Sequence, residues 1–190
     1  EKERLLALIK LIEDRIEYVK ERRKKHKEIT GKMVDCPSII GEDKLGEFTF
    51  KISPMSFYQI NPIQTEKLYN LAVKGAGLTG KEEIFDLYCG IGTIGIFASK
   101  YAKKVYGIEI VPQAIEDAKE NAKINNVENI EFFAGDAGKI FENLMEKKQV
   151  FPDVIIVDPP RKGLDTNTID NILAVEPKKV IYISCNPATM

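Results

Sequence analysis

The sequence, 190 residues long, predicts an α/β fold built on a doubly wound parallel sheet, and three observations support this. From residue 82 onward, five short apolar runs recur at Ile84–Leu87, Val105–Ile108, Ile130–Phe133, Val154–Val157 and Val180–Ile183, separated by helical patterns near 93–101, 112–124, 137–147 and 166–174. The runs are rich in β-formers and mostly apolar throughout, as expected of strands covered by helices on both faces. A glycine-bearing loop follows the first run, and polar residues (Asp86, Glu109, Asp136, Asp158, Cys185) stand at or near the run ends. With right-handed crossovers these ends share one edge, where ligands bind beside the reversal of strand order.

Ahead of the sheet, Leu5, Ile9, Ile12, Ile16 and Val19 step by four and three residues, which predicts an amphipathic helix over 1–28 with Gly31 as its stop. Such a stripe needs a partner: the domain behind it, a second chain or a further domain. Residues 48–53 alternate apolar and polar, the pattern of a half-buried strand. Asn61, Pro62 and Gln64 resemble a capping box and predict a helix running to about Gly75 or Gly77. The expected organisation is an N-terminal helix over 1–30, a linking segment with an edge strand and a helix over 31–78, and a ligand-binding sheet domain over 79–190.

The composition, 44% hydrophobic and 30% charged, is that of an ordinary soluble domain. No run approaches the roughly 18 apolar residues of a membrane span, and no secretion signal is visible. Three cysteines, Cys36, Cys89 and Cys185, lie far apart, which suggests neither a disulfide framework nor a zinc site. The expectation is a monomer with free thiols in the cytoplasm, holding no metal and touching no membrane. A net charge of −1 argues against a stand-alone nucleic-acid binder. Lys20, Arg22, Arg23, Lys24, Lys25 and Lys27 nevertheless form one basic block, which is either a solvated helix end or a phosphate-contacting patch.

The loop after the first run reads Asp86-Leu87-Tyr88-Cys89-Gly90-Ile91-Gly92-Thr93-Ile94-Gly95. Gly90 and Gly92 let the backbone approach a ligand, and the helix that follows turns its free N–H groups toward it. Glu109, nineteen residues after Gly90, is placed to accept hydrogen bonds from ribose hydroxyls. This much fits NAD or S-adenosylmethionine. The second is favoured, because the loop departs from G-x-G-x-x-G and carboxylates suit a sulfonium and an ammonium rather than a pyrophosphate. Blander readings exist: Asp136 as a helix N-cap, Tyr88 as core, the glycines as plain turns, and Cys89 as a packing residue.

The fourth run ends Asp158-Pro159-Pro160-Arg161-Lys162-Gly163, a stiff loop, and the fifth ends Ser184-Cys185-Asn186-Pro187. A thiol at this edge has a use. Carbon 5 of a pyrimidine is a poor nucleophile until a thiolate adds at carbon 6, which makes covalent catalysis worthwhile. The plainer reading of Cys185 is a buried strand cysteine.

DLYCGIGTIG, VYGIE, DPPRKG and SCNPAT occur in this order, and the chain thereby resembles the RNA 5-methyluridine (uracil-C5) methyltransferases of the tRNA and rRNA type. SFYQIN resembles the segment before that family's catalytic domain. The resemblance spans roughly residues 45–190. It implies a Rossmann-like methyltransferase sheet, S-adenosylmethionine as methyl donor, S-adenosylhomocysteine as product, and RNA as partner. It further implies Cys185 as nucleophile, with Gln59, Tyr88, Glu109 and Asp158 contacting the cofactor or organising the site. Asp136 would lie by the adenine, and Asp158 and Arg161 would help hold a uracil flipped out of its stack. Thr93 stands where some relatives carry an asparagine near the methionine moiety.

The family's proton acceptor for carbon 5 is a glutamate downstream of the nucleophile, past Met190. The expectation is therefore a trimmed domain, in which binding of the methyl donor survives better than turnover. Two alternatives stay open: a cytosine-C5 or other RNA methyltransferase, and a domain that binds S-adenosylmethionine or RNA without turnover.

Overall fold

The computed structural model describes residues 41–52, 59 and 62–184. All of these belong to one compact unit, Pro37–Met190; a second unit, Glu1–Cys36, lies outside the described residues. The expected helix over 1–28, its basic block, and Cys185 also lie outside them.

The described elements run β1 (Gly41–Leu45), β2 (Phe48–Ile52), α1 (Pro62–Ala76), β3 (Glu83–Leu87), α2 (Thr93–Ser99), β4 (Lys104–Glu109), α3 (Pro112–Ile124), β5 (Ile130–Ala134), α4 (Ala137–Lys148), β6 (Val154–Val157), α5 (Thr166–Val175) and β7 (Lys179–Tyr182). Strands β3 to β7 form a five-stranded sheet in the order β5-β4-β3-β6-β7, parallel throughout. The five runs expected from the sequence are these strands. The order reverses between β3 and β6, and a crevice at that switch point is where such sheets bind ligands.

Period-two alternation sorts the strand side chains onto two faces. Ile84, Val105, Val154 and Ile156 join Tyr69 of α1, Ile94 and Phe97 of α2, and Ala114 and Ala122 of α3 in one core. Phe85, Leu87, Tyr106, Ile108, Ile155 and Val157 pack with Phe141 and Leu144 of α4 in the other. The ladder continues past the strand ends. Cys89 N–H donates to the Ile108 carbonyl, Gly135 N–H to Glu109 and Ile183 N–H to Val157, so the loops after β3 to β7 start side by side.

The strand expected at 48–53 is present, but it is not an edge of the parallel sheet. It pairs antiparallel with β1 in a sheet of its own, Leu45 opposite Phe48 across a two-residue turn. Gly46 makes that turn with φ of 60°, the left-handed conformation that two-residue hairpins require. β1 reads GEDKL. It buries Leu45 alone among its described side chains, so it carries no hydrophobic alternation to announce it. Among the described residues no helix is long and apolar enough to cross a membrane.

Candidate cofactor and substrate site

At the carboxyl edge of β3 the backbone turns sharply. Tyr88 has φ of 64°, Gly90 54° and Gly92 80°. Tyr88 is the exception among the three, since a side chain in this region is strained and such strain collects at functional sites. Its phenol donates to Asp165 Oδ2 at 3.1 Å. Asp165 in turn caps α5, accepting from the Thr168 amide at 2.9 Å and the Thr168 hydroxyl at 2.8 Å. The loop after β3 is thereby tied to the segment that follows the Asp158–Gly163 loop. Gly92 caps α2 in the left-handed conformation. A β-carbon there would meet the Phe132 ring at 2.8 Å.

Asp86 lies in the middle of this arrangement. It is fully buried, and neither carboxylate oxygen has a hydrogen-bond partner among the described residues. Gly95 packs so closely that a β-carbon on it would stand 2.9 Å from Oδ2. Burial pushes the Asp86 carboxyl up to about 8; the Gly95 amide opposes the rise without closing a hydrogen bond, and Asp158 and Glu109 add to it. An unpartnered buried carboxylate is costly, so these surroundings favour the neutral form of Asp86.

Glu109 is half-buried at the end of β4. Its Oε2 accepts the Gly90 amide at 3.1 Å and its Oε1 the Val111 amide at 3.0 Å. Those two bonds fix the carboxylate and leave lone pairs for further donors. Across the switch point, Asp158 follows β6. Burial raises its carboxyl above the usual range, and a hydrogen bond from the Gln59 side chain opposes the rise. Gln59 and Asp158, 99 residues apart in sequence, thus meet. Thr93 is buried, and its hydroxyl lies 3.0 Å from that of Tyr69 on α1. Asp136 caps α4, accepting the Lys139 amide at 3.1 Å, so one oxygen is engaged in the helix end. Arg161 is exposed. The Cys89 thiol is buried and pushed well up, first by burial and then by Asp86 and Glu109, which makes it a packing group rather than a nucleophile.

Sequence reasoning did not single out the isolation of Asp86 or the part played by Asp165. An acid inside the apolar run Ile84-Phe85-Asp86-Leu87 was the available signal for the first. The spacing of Asp165 and Thr168, a cap with its third helical residue, was the signal for the second.

A family model described as tRNA (uracil-5-)-methyltransferase matches residues 15–190. The chain belongs to this family. It is 56% identical to an uncharacterized RNA methyltransferase of Clostridium acetobutylicum over 149 residues, 78% of this chain and 32% of that protein. It is also 56% identical to one of Staphylococcus aureus strain MSSA476 over 148 residues, 77% of this chain and 32% of that protein. The chain thus spans about a third of the length of these relatives. Among solved structures it is similar to the Pyrococcus abyssi tRNA (uracil-54, C5)-methyltransferase in complex with S-adenosyl-L-homocysteine. That match has 35% identity and a TM-score of 0.65, and it covers 79% of this chain and 36% of that one. Trm5b of Pyrococcus abyssi, at 24% identity and TM-score 0.59 over 72% of this chain and 37% of that one, shares the fold. The five-stranded sheet, its helices and the glycine loop are therefore those of a methyltransferase of the uracil-5 family.

Proposed function

We propose that this chain is the S-adenosyl-L-methionine-binding catalytic part of an enzyme that methylates carbon 5 of uracil in RNA, through a covalent adduct on Cys185. The observation that carries the reading is the convergence of carboxyl groups at the switch point. Asp86 is buried without a partner, and Asp158 and Glu109 are close enough to push its carboxyl upward. Such a site repels a pyrophosphate and favours a ligand with a sulfonium and an ammonium. The S-adenosyl-L-homocysteine in the similar Pyrococcus abyssi enzyme supports the same cofactor, and relatives named as RNA methyltransferases support the substrate class.

When bound, S-adenosyl-L-methionine supplies an electrophilic methyl group. Glu109 would receive the ribose hydroxyls, its geometry already set by two backbone amides. Gln59 would orient Asp158 against the substrate edge. Tyr88, Gly90, Gly92 and Thr93 would wall the methionine side, and Asp136 the adenine side. Cys185 follows Ile183 by two residues, and the Ile183 amide bonds Val157, the residue before Asp158. The Cys185 thiolate would add to carbon 6 of the uracil, sending the ring electron pair onto the carbon 4 oxygen as an enolate. Carbon 5 would then take the methyl group, with S-adenosyl-L-homocysteine as the leaving group. A base removes the carbon 5 proton, the carbon 6–sulfur bond breaks, and the thiolate leaves. Arg161, exposed on the loop after β6, would contact the RNA or the flipped base.

The test is to incubate the protein with unmodified RNA and methyl-labelled S-adenosyl-L-methionine and to identify the labelled nucleoside by mass spectrometry. Label in 5-methyluridine is expected. Label in 5-methylcytidine or a methylated purine overturns the chemistry and leaves the fold standing. Cys185→Ser is expected to abolish transfer and the covalent trap on RNA containing 5-fluorouracil, with cofactor affinity unchanged. A trap that persists in that variant removes Cys185 as the nucleophile.

A further inference from the structure

Among the described residues, β2 pairs with β1 along one edge only. Along the other, two asparagines of α3 replace a neighbouring strand. Asn121 Oδ1 accepts the Lys51 amide at 2.7 Å, and Nδ2 donates to the Lys51 carbonyl at 3.1 Å. One helical turn on, Asn125 Oδ1 accepts the Thr49 amide at 2.9 Å, and Nδ2 donates to the Thr49 carbonyl at 2.7 Å. The spacing explains the match. Two strand residues advance about 6.8 Å and four helical residues about 6 Å, so successive outward amides of the strand, Thr49 and Lys51, each face a side chain on one helix face.

The two asparagines differ in one respect. The second Nδ2 hydrogen of Asn121 goes to the carbonyl of Ile91 at 3.2 Å, the residue between Gly90 and Gly92. Asn125 spends its second hydrogen on the Asn121 carbonyl of its own helix, at 2.8 Å. Asn121 is 0% exposed. Both its donors and its acceptor are used, and they join three segments: α3, the hairpin and the glycine loop. The hairpin chain reaches Gln59 seven residues after Ile52.

We propose that Asn121 is a positioning residue for the cofactor site. It holds the Ile91 carbonyl, and with it the left-handed backbone of Gly90 and Gly92, in register with the hairpin that leads to Gln59. This rests on the cofactor reading above. The side chain has to be an amide. An aspartate would set an acceptor against two carbonyls, and a serine reaches only one of them.

The experiment is calorimetric titration of S-adenosyl-L-homocysteine into the wild-type chain, Asn121→Asp and Asn125→Asp, with thermal melts of all three. Both variants put a carboxylate against a β2 carbonyl, so both are expected to melt earlier. Asn121→Asp alone is expected to weaken cofactor affinity, by about tenfold or more, the size of loss that follows when a buried donor becomes an acceptor. Asn125→Asp is expected to bind as the wild type does. Where Asn121→Asp does not fold, Asn121→Ser gives the same reading. Wild-type affinity in the Asn121 variants, or an equal loss in Asn125→Asp, overturns the inference while the cofactor reading stands. A wild-type chain that binds no S-adenosyl-L-homocysteine overturns the cofactor reading, and this inference with it.

Discussion

Asp86 carries an unusual burden for one residue. Its folded carboxyl sits at about 8, against an ordinary 3.8. The folded chain keeps this proton where the unfolded chain releases it. The stability that the proton contributes is therefore complete below about pH 4 and is lost as pH climbs toward 8. A bound cation favours the charged form, so S-adenosyl-L-methionine affinity should rise between about pH 6 and pH 8, with the raised carboxyl of Asp158 contributing in the same direction. Asp86→Asn should flatten both profiles, followed by thermal melts and by calorimetry. A wild-type affinity that does not change over that range contradicts the assignment. Glu109 acts differently, as an acceptor already fixed by two amides. Glu109→Ala leaves those amides without their acceptor, at a cost of about 1–3 kcal/mol, and equilibrium titration should show weaker cofactor binding. The place of Glu109 at the end of its strand was legible because the strand–loop–helix motif fixes its distance from Gly90, whereas its bond to the Gly90 amide was not. The isolation of Asp86 was not, because it depends on what surrounds the residue.

At the scale of elements, the short helix α2 and the loop before it shape the carboxyl edge beside β3. Gly92 caps that helix at φ of 80°, and a β-carbon there would run into Phe132 of β5 at 2.8 Å. Gly92→Ala combines backbone strain with a clash against a ring packed in the core, so it should destabilise the fold by about 1–3 kcal/mol and weaken cofactor binding. Denaturant melts and calorimetry measure the two separately. A variant of wild-type stability and affinity would mean that the loop relaxes at no cost. The strand pattern of β3 to β7 was legible from apolar periodicity. β1 was not, because a polar edge strand is held by its partner and its turn rather than by its own composition. Nor could α3 be seen to pair with β2, since Asn121 and Asn125 read as ordinary polar helix residues.

At the scale of the molecule, a sheet with one core on each face supports a single edge where every loop of interest begins. Phe141 of α4 is fully buried against Phe85 of β3, ring centroids 4.9 Å apart. It belongs to the core on the face away from α1 to α3 and the hairpin clamp. Phe141→Ala should cost about 3–5 kcal/mol of stability, measured by denaturant unfolding, with cofactor affinity of the folded fraction unchanged. A loss of affinity with stability intact would show that this core transmits directly to the site.

The sequence by itself determined the parallel sheet, its helices and the loop that opens α2, because apolar periodicity and glycine placement are local properties of the chain. It also indicated which carboxylates would stand at or near the carboxyl edge of the sheet, since a parallel strand delivers its carboxyl end to one side. Only the tertiary structure decided which of those groups meet and in what state. Gln59 finds Asp158, Tyr88 finds Asp165, Asn121 finds Ile91, and Asp86 finds no hydrogen-bond partner among the described residues. Each of these depends on groups distant in sequence being brought into hydrogen-bonding range, or on water being excluded, and neither is a property of any short stretch of residues.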